Sequence, residues 1–203
     1  MYGGNLFLHG RPVSAFSILE GLSMFLRWLA SFNTDTILVG RNIKAFDVKH
    51  LLRHADLNGV DLGRLVGFVD TLSLFKNKYQ GLPSKSQENL CHRFVGGKYN
   101  DHNSLDDVIA LTSLLEKTSS CNFFKEFSFS FEWSKKFVTY CKNKEANLAT
   151  FQSLIASKAL SRRMADKAAS SGLRYHHLKL AYKREGEGGL KSLFSERFSG
   201  KVR

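Results

Sequence analysis

The chain has 203 residues, a length that fits one or two domains. A hydrophobic fraction of 43% and a charged fraction of 24% exclude wholesale disorder, and two prolines exclude a proline-rich or collagen-like chain. No apolar run approaches 18 residues, so no transmembrane helix is expected, and the first residues lack the features of a secretory signal. Three scattered cysteines indicate free thiols in a reducing, intracellular compartment.

The net charge of +12 is unevenly distributed along the chain. Residues 1–118 hold 13 basic and 11 acidic side chains, whereas residues 119–203 hold 17 and 7. We therefore predict one domain over 1–118 and a second, basic domain over 119–203. A basic domain attracts polyanions, nucleic acid first, although a solvated basic surface kept for solubility gives the same composition.

Hydrophobic periodicity predicts alternating helices and strands in the first domain. Helices are predicted over 16–32, 45–53, 86–93 and 104–117, and buried strands over 36–40 and 65–69. This order implies parallel strands joined by crossover helices, which is an α/β arrangement.

The second domain has a different pattern. A stretch dense in Phe and Ser over 123–131 is predicted to pack between the two parts, and helices follow over 132–142, 158–170, 175–184 and 190–198. Glycines at 172 and from 186 to 189 fit helix ends. The result is a small all-α bundle, with Met164, Ala168 and Leu178 among the predicted core residues.

Basic side chains surround this predicted core, interleaved with tyrosine and histidine. Such a surface can contact phosphates and stack on bases, and a solubilised structural bundle is the alternative. The candidate nucleic-acid-binding residues are Arg162, Arg163, Lys167, Arg174, Lys179, Lys183 and Arg184.

Two polar clusters follow elements of the first domain. Asn42 and Asp47 come just after the strand at 36–40, and ligands bind at the carboxyl ends of parallel strands. His102 precedes the helix at 104–117 and Asp107 lies one turn inside it, so a base and a carboxylate that binds a divalent cation can share one pocket. Each cluster alone is also explained by turn and helix-capping chemistry.

Taken in order, the two clusters resemble the DEDDh 3′–5′ exonucleases of the RNase H-like fold, over residues 16–117. Asn42 and Phe46-Asp47 match the second motif of that family, and His102 with Asp107 match the third. The resemblance implies Asp47 and Asp107 as metal ligands, His102 as general base, and Asn42 and Phe46 as substrate-positioning residues.

The sequence departs from that family in its first motif. An Asp-x-Glu pair is expected upstream, but Glu20 and Asp35 are the acidic residues before Asp47, and neither forms such a pair. Arg41 also stands where the family has His. Because the family holds two divalent ions with four carboxylates, we expect a truncated RNase H-like domain with a vestigial His102 and no stably bound cofactor. Mg²⁺ or Mn²⁺ would bind if the first motif were restored.

The tail adds a second resemblance. The segments at 164–173 and 177–184 are similar to the tail of the exonuclease-like C-terminal region of the promyelocytic leukaemia protein and its fish relatives. That resemblance implies a nuclear, scaffold-like setting with DNA, RNA or protein partners, or self-association, and no membrane.

Three functions stay open on the sequence. The preferred one is a catalytically degraded, exonuclease-like binding or scaffold module. The others are a metal-dependent 3′–5′ exonuclease whose first motif lies upstream, and a protein–protein module that never contacts nucleic acid. The missing opening strands also predict a bare edge on the strand at 36–40, and hence poor solubility or self-association.

Overall fold

A computed structural model describes residues 6–8, 10–13, 15–96, 104–118 and 121–195. The chain divides into two compact units, Met1–Ser134 and Lys135–Arg203. The predicted domain boundary at 118–119 adjoins residues outside the described ranges and stays a prediction. None of the helices in those ranges is long and apolar enough to cross a lipid bilayer.

The first unit opens with a hairpin and a capped helix. Strands β1 (Leu6–Leu8) and β2 (Arg11–Val13) pair antiparallel, and helix α1 spans Ile18–Ser31. The Glu20 N–H donates to the Ser17 hydroxyl at 3.2 Å, and the Ser17 N–H donates to the Glu20 carboxylate at 2.8 Å. This capping box lowers the pKa of Glu20 and explains why an acidic residue stands in the first turn.

A three-stranded sheet follows. Strands β3 (Thr36–Gly40) and β4 (Leu65–Asp70) are parallel, with helix α2 (Asp47–Leu57) between them in the chain, as predicted. The Phe- and Ser-rich stretch supplies helix α6 (Cys121–Glu126) and strand β5 (Ser128–Ser130), which pairs antiparallel with β4. Its alternation of Ser and Phe is the period-two pattern of a strand.

Three more helices complete the first unit. They are α3 (Thr71–Lys78), α4 (Gln87–Phe94) and α5 (Ser104–Thr118). Their apolar faces form one core cluster of Leu74, Phe75, Leu90, Cys91, Ala110, Leu111 and Leu114. Helix α3 was not predicted, because it begins directly at the end of β4 with no loop to mark its start.

The second unit is helical, as predicted. It contains most of α7 (Phe131–Ala149), then α8 (Gln152–Ala156), α9 (Arg162–Ser170) and α10 (Tyr175–Ser195). Its core cluster consists of Phe151, Ala165, Ala168, Ala169 and Leu178. The prediction for Met164 was wrong: its side chain is 40% exposed, since the three alanines at i, i+3 and i+4 form the inward stripe of α9.

Candidate functional site

Asp70 joins the carboxyl ends of β3 and β4. Its carboxylate is 6% exposed, and its Oδ1 accepts the N–H of Asn42 and the N–H of Leu72, each at 3.0 Å. The first bond holds the turn after β3, where Asn42 has a φ of +56°, and the second caps α3. Asn42 therefore contributes its backbone N–H to this site, although the residue is exposed.

Phe46 and Asp47 lie at the start of α2. Phe46 occupies the N-cap position, is 62% exposed, and its ring centroid is 4.5 Å from that of His50. Asp47 is exposed in the first turn, where the helix dipole favours a carboxylate. The Arg41 Nη2 donates to the Lys85 carbonyl at 2.6 Å.

Asp107 is half-buried on α5. Its backbone carbonyl accepts the Gln87 side-chain amide at 2.7 Å, and Gln87 is itself 8% exposed. This bond fixes the first turn of α5 against α4. His102 lies outside the described residues, so its role as general base stays a prediction.

The described donors do not fit the two-ion centre that the exonuclease resemblance implies. Within the described ranges, no group of three His, Cys, Asp or Glu side chains is placed to hold a metal ion. The Asp70 carboxylate already accepts two backbone N–H groups, and Glu20 is in the capping box of α1. Asp47 and Asp107 stay predicted ligands.

The seven candidate nucleic-acid-binding residues all belong to the second unit, on α9, on α10 or just before α10. The Lys179 ammonium lies 4.6 Å from the centroid of the Tyr175 ring, and the Arg174 Nε donates to the Asn147 Oδ1 at 2.7 Å. All seven are exposed.

The charge follows the division into units. Residues 135–203 hold 16 basic and 5 acidic side chains, a net charge of +11, whereas residues 1–134 hold 14 and 13, a net charge of +1. Nearly the whole net charge of the molecule therefore belongs to one compact unit.

Comparisons with known protein families agree with this division. Residues 16–115 match the family model for exonucleases, and residues 147–203 match that for the PML C-terminal domain. One part of the chain is thus similar to exonucleases and another to the PML C-terminal domain, the name used below for residues 147–203. No curated protein and no solved structure matches it. The predicted resemblances and the predicted α/β class with a helical tail are thus confirmed.

The PML C-terminal domain and the helix before it form a groove that sequence reasoning missed. This α7 groove, as we call it, has a volume of about 580 Å³. It is lined by Lys135, Lys136, Thr139, Tyr140, Asn143, Lys144 and Asn147 from α7 and by Ala169, Ser170, Ser171 and Gly172. The signal was present as lysines and a tyrosine at helical spacing, but the predicted helix ended at 142.

Asn147 connects the two walls of the groove. It is 5% exposed; its Nδ2 donates to the Ala169 carbonyl at 3.3 Å, and its Oδ1 accepts Arg174. The Lys144 ammonium also binds both oxygens of the Asp166 carboxylate, at 2.8 and 2.9 Å. Side chains of α7 thus hold the end of α9 and the turn beyond it in place.

His177 occupies a second polar site in the PML C-terminal domain. Its Nδ1 accepts the Arg174 N–H at 3.0 Å, which caps the start of α10. The pKa of His177 is lowered mainly by desolvation, and further by the nearby His176 and Arg174. A lowered pKa favours the neutral ring, which is the form that can accept this hydrogen bond.

Proposed function

We propose that this chain is a catalytically degraded, exonuclease-like module of a nuclear protein that binds nucleic acid through its basic second unit. The observation that carries the proposal is the net charge of +11 on residues 135–203 against +1 on the rest. The match to the PML C-terminal domain supports the nuclear setting. Surface cations beside Tyr175 and Tyr182 suit a strand whose phosphates pair with cations and whose bases stack on rings.

The degraded catalytic centre is supported by the acidic residues themselves. No Asp-x-Glu pair precedes Asp47 in this sequence, and the buried carboxylate of Asp70 serves the backbone. A close pair of dications needs more negative charge than Asp47 and Asp107 supply. The module would thus keep the shape of an exonuclease and lose the metal chemistry.

Salt-dependent binding by the full chain tests the proposal. We compare the Arg162→Ser/Arg163→Ser/Lys167→Ser variant with a control that removes three exposed cations of the first unit, Arg53→Ser/Lys76→Ser/Lys125→Ser. Both variants lose the same charge. On a single-stranded oligonucleotide, the α9 variant should lose affinity and flatten the dependence of log K on log salt by about 0.7 per lost contact. Equal losses in the two variants would contradict the proposal.

A metal-dependent 3′–5′ exonuclease is the second candidate. The match of residues 16–115 to the exonuclease model favours it, provided that a segment upstream of this chain supplies the Asp-x-Glu pair. An intact gene product with that pair on a strand before residue 1 would support this candidate, and one without it would rule it out.

A further inference from the structure

We infer that the α7 groove is a binding channel for single-stranded nucleic acid, with Lys136 at a phosphate and Tyr140 against a base. The inference rests on the proposed function and adds a location to it. Most of the groove lining lies on α7, upstream of the match to the PML C-terminal domain and apart from the seven residues considered so far.

The spacing along α7 produces one continuous binding stripe. Lys136, Tyr140, Asn143 and Asn147 recur at intervals of four, three and four residues, which places them on one side of the helix. At 1.5 Å per residue the stripe is about 16 Å long. A strand with stacked bases advances ~3.4 Å along its axis per nucleotide, so the stripe spans a few nucleotides.

The electrostatics of the groove favour an anion. Its lining residues include three lysines and no acidic residue, and one of these lysines, Lys144, is paired with Asp166. Lys136 is exposed, so a ligand can reach its ammonium without displacing buried side chains. Arg174, held by Asn147, adds a further cation beside the groove.

The groove is also preformed. The bonds of Asn147 to Ala169 and to Arg174 and the Lys144–Asp166 pair fix the distance between its two walls. The opposite wall carries small residues, Ala169 to Gly172, which leave room for a ring to enter. A ligand therefore binds without the entropy cost of ordering the walls.

A single strand suits these groups better than an acidic peptide. Lysines would serve both ligands, but the Tyr140 ring offers a stacking surface, and Thr139 and Asn143 offer donors and acceptors for base edges. A cleft of about 580 Å³ lies in the size range of small-ligand sites, which a base and its phosphate can enter and a duplex cannot.

The test uses the full chain and a fluorescein-labelled (dT)15 oligonucleotide, with anisotropy measured from 50 to 300 mM salt. Lys136→Glu is compared with Lys142→Glu, an exposed lysine of the same helix that does not line the groove. We expect Lys136→Glu to raise Kd at least fivefold and to lower the salt slope by about 0.7, and Lys142→Glu to stay within twofold of wild type.

A third variant separates stacking from charge. Tyr140→Ala should raise Kd by about fivefold or more and leave the salt slope unchanged, because it removes a stacking surface and no cation. Thermal melting establishes whether this half-buried position tolerates the change. If the variant does not fold, the pair of exposed lysine variants decides alone.

Two results would overturn the inference. One is an equal loss of (dT)15 affinity in Lys136→Glu and Lys142→Glu, which would mean a diffuse charge effect. The other is unchanged (dT)15 binding in Lys136→Glu together with lost binding of poly-L-glutamate, which would assign the groove to acidic peptides. Failure of the wild-type chain to bind (dT)15 at any salt concentration would instead refute the proposed function itself.

Discussion

At the scale of single residues, two carboxylates of the exonuclease-like domain bond to the backbone. Asp70 stands at the end of β4, where parallel strands commonly present ligands, yet its Oδ1 accepts two backbone N–H groups. Glu20 likewise closes a capping box. Both side chains contribute to the stability of the fold in this chain.

We expect Asp70→Ala to lower the free energy of unfolding by about 1–3 kcal/mol, because it leaves two buried N–H groups without their acceptor. Asp70→Asn should cost less, since an amide oxygen can still accept. The exposed Asp56→Ala control should change stability by less than about 0.5 kcal/mol. Urea unfolding measures all three, and an Asp70→Ala variant as stable as the control would contradict this role.

The His177 imidazole predicts a pH dependence of stability. A histidine whose pKa is lower in the folded state than in the unfolded state binds fewer protons when folded. The stability that His177 contributes is therefore fully present above its ordinary pKa of about 6.5. It is lost as the pH falls from there through the lower pKa of the folded state. Protonation also removes the acceptor of the Arg174 N–H.

His177→Gln isolates that effect. Glutamine at this third helical position can accept the same N–H and does not titrate. We expect the difference in unfolding free energy between pH 7.5 and pH 5.5 to be smaller in the variant than in the wild type. Identical pH profiles from urea melts would show that His177 titrates alike in both states.

At the scale of elements, the glycines of α10 have different roles. Gly186 has a φ of 58° and a ψ of −138° and breaks the helix, whereas a Cβ on Gly188 would meet nothing within 4 Å. Gly186→Ala should destabilise the chain by about 1–3 kcal/mol, because a side chain strains that backbone conformation. Gly188→Ala should be neutral or stabilising by up to about 1 kcal/mol. Thermal melts compare the two, and equal effects would mean that the kink is not required.

The elements that the sequence predicts well have strong periodicity or β-branched runs. The runs at 36–39 and 65–69 indicate strands, and the helix between them makes them parallel. The second strand is largely buried as predicted, whereas Ile37 and Val39 of the first are exposed because, among the described residues, it lies at an edge of the sheet. Short elements were harder to predict, because β5 has three residues and α3 follows β4 without a break. The length of α7 was underestimated because asparagine has a low helix propensity, and Asn147 is buried through bonds that no local pattern reveals.

The candidate site, like the short elements, could be predicted only in part from the sequence. Asn42 and Asp47 were predicted to follow a strand and do lie there, but nothing in the sequence indicates that Asn42 would bond to Asp70 through its backbone. The α7 groove combines residues near 140 with residues near 170. Such a combination depends on how helices pack, which spacing within one helix cannot show.

At the scale of the whole molecule, the sheet has an apolar edge. Among the described residues β3 pairs with β4 alone, and Ile37 and Val39 on β3 are 48% and 41% exposed. Unpaired backbone groups beside apolar side chains promote pairing between chains. We therefore expect concentration-dependent self-association of the purified chain.

Val39→Lys tests this expectation, because a charge on an edge strand opposes pairing between chains. Light scattering should show a smaller average mass for this variant than for the wild type at equal concentration. Lys49→Arg, which keeps the charge of an unrelated position on α2, is the control. A wild-type chain that is a monodisperse monomer at high concentration would contradict the prediction.

A molecule that binds nucleic acid without cutting it, as proposed, should show both properties in a single incubation. An excess of the chain is mixed with a 5′-labelled single-stranded oligonucleotide in magnesium or manganese, and the sample is divided between a native and a denaturing gel. We predict retarded label on the native gel and full-length label on the denaturing gel. A ladder of shortened products that His102→Ala abolishes would contradict the claim, because a contaminating nuclease would not depend on His102.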